Sequence, residues 1–455
     1  MSRALELADR ALRLSQGDEA DAVAHVERSG LARFAGSVVH QPTLVADESV
    51  TIRVVRDGRV GTASTNRTDD GGLRRAAGRA AEAADSSPRD PGWPGLPGPA
   101  AVPEVGGFDP ETASLSPDDL ARLAWSAISA VGGNGLQAFG YFTSAFTETA
   151  VASSAGVAAA QAATDATVLV LAASREESGY ADASSWRAGD LDPAAVAARA
   201  VATARRTRGA GTLDPGTYRV VLEPSAFASL LWFFALTSLG GLALLEGRSY
   251  LAGRLGERLY HPSFTLVDDG RDPRGFPKAF DFEGVPKERV TLVENGVARD
   301  VVWDRRTAKR AGDGRRSTGH ALPGPAQAFG PIPLNLSVPG GDVDTDDLVE
   351  RAGEGIYVTR LHYLNIVDPR AGILTGMTRD GTFRIERGRV TRPLVNLRFT
   401  TSFPAFAASL LGLSRDVRLV NLSDFYDERL PLGALVPAAA SEAFTIVGAG
   451  SRPGL

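Results

Sequence analysis

Residues 224–258 read PSAFASLLWFFALTSLGGLALLEGRSYLAGRLGER, and the first 22 of them carry no charge. An apolar run of that length is long enough to span a bilayer. Two features argue for a buried helix instead. Gly240 and Gly241 interrupt the run, and a glycine pair commonly ends a helix in a water-soluble fold. No second span exists, and the Lys/Arg flanks are weak. The stretch therefore predicts a core helix, then a short apolar turn, and no membrane contact. The second half of the stretch is different in kind. From Glu246 to Arg258 the chain is charged and spaced by Gly247, Gly253 and Gly256. Such a loop is either a solvated turn held by ion pairs or a backbone-rich surface that approaches a partner or peptide.

Bulk composition narrows the field. At 455 residues the chain predicts two or three domains. A hydrophobic share of 43% and a charged share of 23% are ordinary for a globular protein. The net charge of −5 and pI near 5.7 argue against nucleic acid as the main partner. The chain has no cysteine, so disulfides, thiolate metal ligands and cysteine nucleophiles are excluded. The first residues, MSRALELADRALRLSQGDEA, read as an amphipathic helix without the apolar core of a signal peptide, and a cytoplasmic location is expected.

The fold class predicted is α+β, with N-terminal α/β units built on antiparallel sheets and a β-rich C-terminal domain. Residues 1–85 form the first unit, with Asp57-Gly58 as a hairpin turn between apolar-alternating runs. Residues 86–110 are too rich in Pro and Gly for helix or central strand and read as an extended connector. Residues 111–212 form a central α/β unit, with Ser116-Pro117 and Asp192-Pro193 as helix starts. Residues 213–455 form the β-rich domain. There Asn295-Gly296 marks a hairpin, and 354–400 read as four strands separated by DPRAG, RDG and RG turns.

A search for chemistry finds little. The five histidines, at 25, 40, 261, 320 and 362, all lie more than five residues apart, so no HExxH-type pair exists. No GxSxG elbow, P-loop or strand-flanked GxGxxG appears. Three polar places remain: the 246–258 loop, the segment 266–286, and 359–381. In 266–286, Asp268 and Asp269 are placed to pair with nearby arginines. Asp281 and Glu283 offer hard oxygen ligands, though one acidic pair is no Ca²⁺ loop. In the third, His362, Tyr363 and Asn365 fall in a strand between apolar neighbours.

In order, GRVGTASTN, YRVVLEPSAF, LLEGRSYLAGRLGER, LVDDG, FDFEGVP, LVENGV, STGHA, ILTGMTRDG and FTIVGAG resemble the TldD/TldE (PmbA) family of metallopeptidases over nearly the whole chain. The active, TldD-type members carry HExxxH just before a Leu-Glu-Gly triplet, and a downstream cysteine completes their zinc site. Anchored on Leu245-Glu246-Gly247, the two histidine places fall on Ser238 and Ala243, and the glutamate place on Leu239. The cysteine place cannot be filled. The resemblance is thus to the TldE/PmbA type, without HExxxH.

That resemblance implies a TldD/PmbA-like fold and a pseudo-active site with no catalytic residue, metal or cofactor of its own. It implies a heterodimer with a TldD-like, HExxxH-bearing subunit that holds the zinc, the two enclosing an extended peptide substrate. Peptide or partner contacts are then expected from Glu246, Arg248, Gly253, Arg254, Gly256, Glu257, Arg258, His362, Tyr363 and Asn365. Two other readings stay open from the residues alone: a metal-free homodimeric binding or scaffold protein, and a hydrolase of small amides in a biosynthetic pathway.

Overall fold

Helix α1 (Arg3–Leu14) opens the chain and buries Ala4, Leu7, Ala8 and Ala11. Strands β1 (Glu19–Ala35), β2 (Val38–Arg56) and β3 (Arg59–Thr65) come next as an antiparallel meander, then helix α2 (Asp70–Ser86). The β2–β3 turn is the expected one: Asp57 and Gly58 have φ of 51° and 69°, as a two-residue hairpin turn needs. The structure is a computed structural model and describes residues 2–132, 135–423 and 429–454.

After the connector the same order of elements recurs. A one-turn helix α3 (Pro110–Ala113) precedes α4 (Pro117–Val131), β4 (Gln137–Ser153), β5 (Ala158–Ala173), β6 (Ser178–Ser185) and α5 (Pro193–Arg206). Ser116 and Asp119 close a capping box at the start of α4, and Asp192 caps α5. Both segments contribute to one six-stranded sheet, ordered β3-β2-β1-β4-β5-β6, with β1 paired to β4 at its centre. The two αβββα halves repeat each other in detail. A Cβ on Gly61 would lie 2.1 Å from the Ala80 carbonyl oxygen, and one on Gly179 2.2 Å from that of Ala200. In each half an alanine-faced helix lies directly on a glycine of the edge strand, a close approach that a side chain would forbid.

The connector is extended and pinned from both sides. Trp93 Nε1 donates to Glu19 at 3.1 Å, and Arg305 donates to the carbonyls of Pro94, Gly95 and Leu96.

The remaining elements are β7 (Gly216–Leu222), α6 (Pro224–Ser238), α7 (Gly241–Leu245), β8 (Leu266–Asp268), β9 (Val290–Glu294), β10 (Val297–Ala298), α8 (Arg305–Ala311), β11 (Asn335–Ser337), α9 (Thr345–Ala352), β12 (Gly355–Asp368), β13 (Ile373–Glu386), β14 (Arg389–Pro393), β15 (Leu397–Ser402), α10 (Phe403–Ala408), β16 (Leu410–Asn421) and β17 (Gly433–Ala449). They build an eleven-stranded sheet with the path β10-β9-β8-β11-β17-β15-β13-β12-β7, off which β14 pairs with β13 and β16 with β17. β17 also pairs with β7, which closes the path β17-β15-β13-β12-β7 on itself and removes two edges. Helix α6 packs against β12 and β17. Its Phe227, Leu230, Leu231 and Phe234 join Phe264, Phe399, Phe403, Phe406 and Phe444 in the largest core.

One expected turn is absent. Asp380-Gly381 lies inside β13, which continues to Glu386. The pair keeps its positive φ, 54° and 144°, but spends it on an irregularity in the β12–β13 ladder. Asp-Gly permits left-handed backbone, and a bulge uses that as readily as a hairpin does. Asn295-Gly296 (φ 48° and 81°) is the expected turn, between β9 and β10.

Candidate functional site

The apolar run resolves into α6, which ends at Ser238, and the short α7. Among the described residues no helix is long and apolar enough to cross a membrane. The glycine pair between α6 and α7 does more than end a helix. The chain there runs beside Val302: Gly241 N–H donates to Val302 O, and Val302 N–H donates to Leu239 O, both at 2.9 Å. A Cβ on Gly240 would sit 2.1 Å from the Pro331 carbonyl oxygen, and one on Gly241 2.4 Å from the Trp303 ring. Trp303 is itself 2% exposed. The wall is a tightly packed crossing of 239–241 over 302–303.

Ser238, Leu239 and Ala243 are therefore core residues, exposed by 0%, 0% and 6%. Among the described residues the Ser238 hydroxyl has no hydrogen-bond partner, while its carbonyl accepts from Ser249 Oγ at 2.7 Å. Zinc takes imidazole, thiolate or carboxylate. A hydroxyl, an isobutyl and a methyl group do not supply that donor set, so these three residues do not fit the metal. Among the described residues no group of three or more His, Asp or Glu is placed to hold one elsewhere.

The loop after α7 is a series of turns. Backbone N–H groups of Arg248 and Ser249 both donate to Ala243 O, and Gly247, Gly253 and Gly256 take φ of 64°, 74° and 89°. Glu246 pairs with Arg248 at 2.6 Å and with Arg310 at 3.5 Å. Arg254 reaches Glu257 at 3.3 Å and stacks over Tyr250, with 4.4 Å to the ring centroid. Arg258 donates to Asn295 O at 2.6 Å. The ion pairs of the solvated-turn reading are present, and Glu246, Arg248, Gly253, Gly256, Glu257 and Arg258 are exposed.

His362, Tyr363 and Asn365 lie on β12, where the ladder with β13 shifts register between His362 and Asn365. Tyr363 takes φ of 50°, is 72% exposed, and stands 4.2 Å, centroid to centroid, from the His362 ring. Burial, then Arg360 and Arg379, lower the pKa of His362. Among the described residues, no hydrogen bond, ion pair or ring contact joins this strand segment to the 246–258 loop.

The 266–286 segment differs from expectation. Asp268 is fully buried and pairs with no arginine: it accepts from His320 Nε2 at 2.8 Å and Asn335 N at 2.7 Å, with Lys287 Nζ at 3.9 Å. Burial pushes its carboxyl up, but Lys287 and His320 outweigh that and hold it at about 2. Asp269 meets Arg289 at 3.6 Å and Arg271 at 3.9 Å, as expected. Asp281 spends its oxygens on the N–H groups of Glu283, Val285 and Ala321, which leaves little for a cation. Glu283 faces Arg53, 3.6 Å away on β2, and Arg53 holds Asp21 at 2.5 Å. This buried network joins the first sheet to the segment between β8 and β9. Its partners lie far apart in sequence, and no spacing announces them.

Residues 215–448 match the model of the PmbA/TldA metallopeptidase C-terminal domain, and residues 20–84 match that of domain 1. TldE from Thermococcus kodakarensis superposes with a TM-score of 0.86 over 97% of this chain and 99% of that one, at 21% identity. A metalloprotease of Methanothermobacter thermautotrophicus is 28% identical over 212 residues, 45% of this chain and 44% of its own. A TldD homologue from Haemophilus influenzae is 29% identical over 152 residues, 32% of this chain and 30% of its own. The chain thus matches less than half the length of these curated relatives. It belongs to the PmbA/TldD metallopeptidase family, and among the described residues it holds no cluster of metal-ligating side chains, in keeping with a TldE/PmbA-type member.

Proposed function

We propose that this chain is the non-catalytic subunit of a heterodimeric zinc metallopeptidase in the cytoplasm. A TldD-like partner carries HExxxH and the zinc, and this chain helps to enclose and bind extended peptides that the partner cuts. One observation carries the reading: Ser238, Leu239 and Ala243, which the family resemblance assigns to the ligand positions, are all three packed into the core. A water-activating metal needs a carboxylate base and strong donors, and none is offered there.

The contact surface proposed is the 246–258 loop, through Glu246, Arg248, Gly253, Arg254, Gly256, Glu257 and Arg258, together with His362, Tyr363 and Asn365. In support, most of these side chains are exposed. β7 pairs with β12 only as far as Val358, so beyond it β12 has just β13 beside it among the described residues. A strand edge of that kind suits sequence-tolerant capture of an extended peptide through its backbone.

Co-expression with a HExxxH-bearing paralogue from the same genome tests this. A one-to-one complex should form, an unfolded peptide should be cleaved only when both chains are present, and Tyr363→Asp should raise KM or weaken the complex by about tenfold. A homodimer of this chain that cleaves peptides alone would overturn it.

A further inference from the structure

The face of the first sheet that carries no helix is polar. Register sets His25 opposite Thr149, Thr149 opposite Gln161, and Thr147 opposite Ala163. Segments 276–282 and 429–431 of the C-terminal region lie over this face, and between the layers is a pocket of about 60 Å³. A water needs roughly 10–15 Å³ on that measure, so the space suits a small ligand of roughly four to six heavy atoms. Thr147 and Thr149 form its floor, while Phe276, Phe280 and Pro431 form an apolar wall. None of its lining belongs to the 238–258 segment or to β12.

The charged groups around the pocket are unevenly partnered. Arg429 is neutralised by Asp165, with Nε to Oδ1 at 2.9 Å. The Asp281 carboxylate is occupied by three backbone N–H groups. Lys278 reaches only carbonyl oxygens, those of Pro431 at 2.5 Å and Phe276 at 3.3 Å. Among the described residues no carboxylate stands within ion-pairing distance of its ammonium, which keeps a third proton to donate.

We propose that this pocket binds a small aliphatic carboxylate, its anionic head paired with the Lys278 ammonium and its carbon body laid against Phe276, Phe280 and Pro431. The ligand supplies the anionic partner that Lys278 lacks among the described residues, and an ion pair in a partly apolar site is stronger than one in water. Burial, and then the neighbouring Lys287, push the Lys278 ammonium down to about 7, against the opposing pull of Asp268 and Asp165. His25, Asp281 and Arg429 are the other ionisable groups of the lining. A bound anion restores the ammonium, so above neutrality the carboxylate binds together with a proton. The site is independent of the peptidase reading, and the single chain suffices to test it.

The experiment is calorimetric titration of the wild-type chain with isobutyrate and with isobutyramide, at about pH 8 in two buffers of different ionisation enthalpy and again at about pH 6. Isobutyrate should bind with a Kd in the millimolar range, and the amide at least about tenfold more weakly. Binding at the higher pH should take up close to one proton, and at the lower pH almost none. Lys278→Met should weaken isobutyrate at least about tenfold with an unchanged circular dichroism spectrum. Equal affinity for acid and amide, or no binding at about 50 mM, would overturn the proposal, as would the absence of proton uptake at the higher pH. If the methionine variant fails to fold, the wild-type acid–amide ratio and proton count still decide.

Discussion

Leu239 stands where the family resemblance puts the glutamate of the active, TldD-type members. Here it is fully buried, and its carbonyl accepts from Val302 N–H. Leu239→Glu places a carboxyl inside the hydrophobic core. It should lower stability by about 3–5 kcal/mol in chemical denaturation. A second residue-scale test uses Glu283. Burial, followed by Asp281, raises its carboxyl toward about 8 from the ordinary 4.5. A carboxyl raised on folding stabilises the fold fully below its unfolded value, and that contribution is lost as pH rises through the folded one. The melting temperature should therefore fall between about pH 5 and pH 8, and Glu283→Gln should flatten that slope. A slope unchanged by the substitution would place the titration elsewhere in the network.

At the scale of elements, the glycine crossings make the sharpest prediction. Gly61→Ala and Gly179→Ala each put a methyl within 2.2 Å of helix backbone, which has no rotamer to yield. Each should cost about 1–3 kcal/mol by overpacking, read as a lowered denaturation midpoint, and the two costs should be similar because the two halves are built alike. Much of this level was legible in the sequence. Ser116-Pro117 and Asp192-Pro193 mark true helix starts, and Asp57-Gly58 and Asn295-Gly296 mark true hairpins, because caps and two-residue turns are decided by a few adjacent residues. Asp380-Gly381 shows the limit: the pair declares a positive φ, but whether that makes a turn or a bulge depends on the strand across from it. The αβββα repeat escaped for a related reason. It is carried by alanine faces and two glycines, and small residues of that kind leave almost no periodic signal.

At the scale of the whole molecule, pairings between distant segments decide the shape. β1 meets β4, and β7 meets β17 across more than 200 residues; nothing local encodes either register. The buried groups that tie the first sheet to the C-terminal region are equally non-local, with Asp21 and Arg53 on one side and Glu283, between β8 and β9, on the other. Arg53→Met leaves Asp21 buried without its cation and should cost about 3–5 kcal/mol. Calorimetry should then show the melting of the two sheets separating into two transitions. The lack of cysteine and of closely spaced histidines was legible for the opposite reason, since the sequence declares it directly. What composition left hidden was the packing: 239–241 crossing over 302–303, with glycines where the backbones meet. The most direct test of the central claim is a zinc count, by mass spectrometry of metals, on the complex with its HExxxH-bearing partner and on this chain purified alone. The account predicts one zinc per heterodimer, and none with the single chain. Stoichiometric zinc in the isolated chain, accompanied by peptide cleavage, would contradict it.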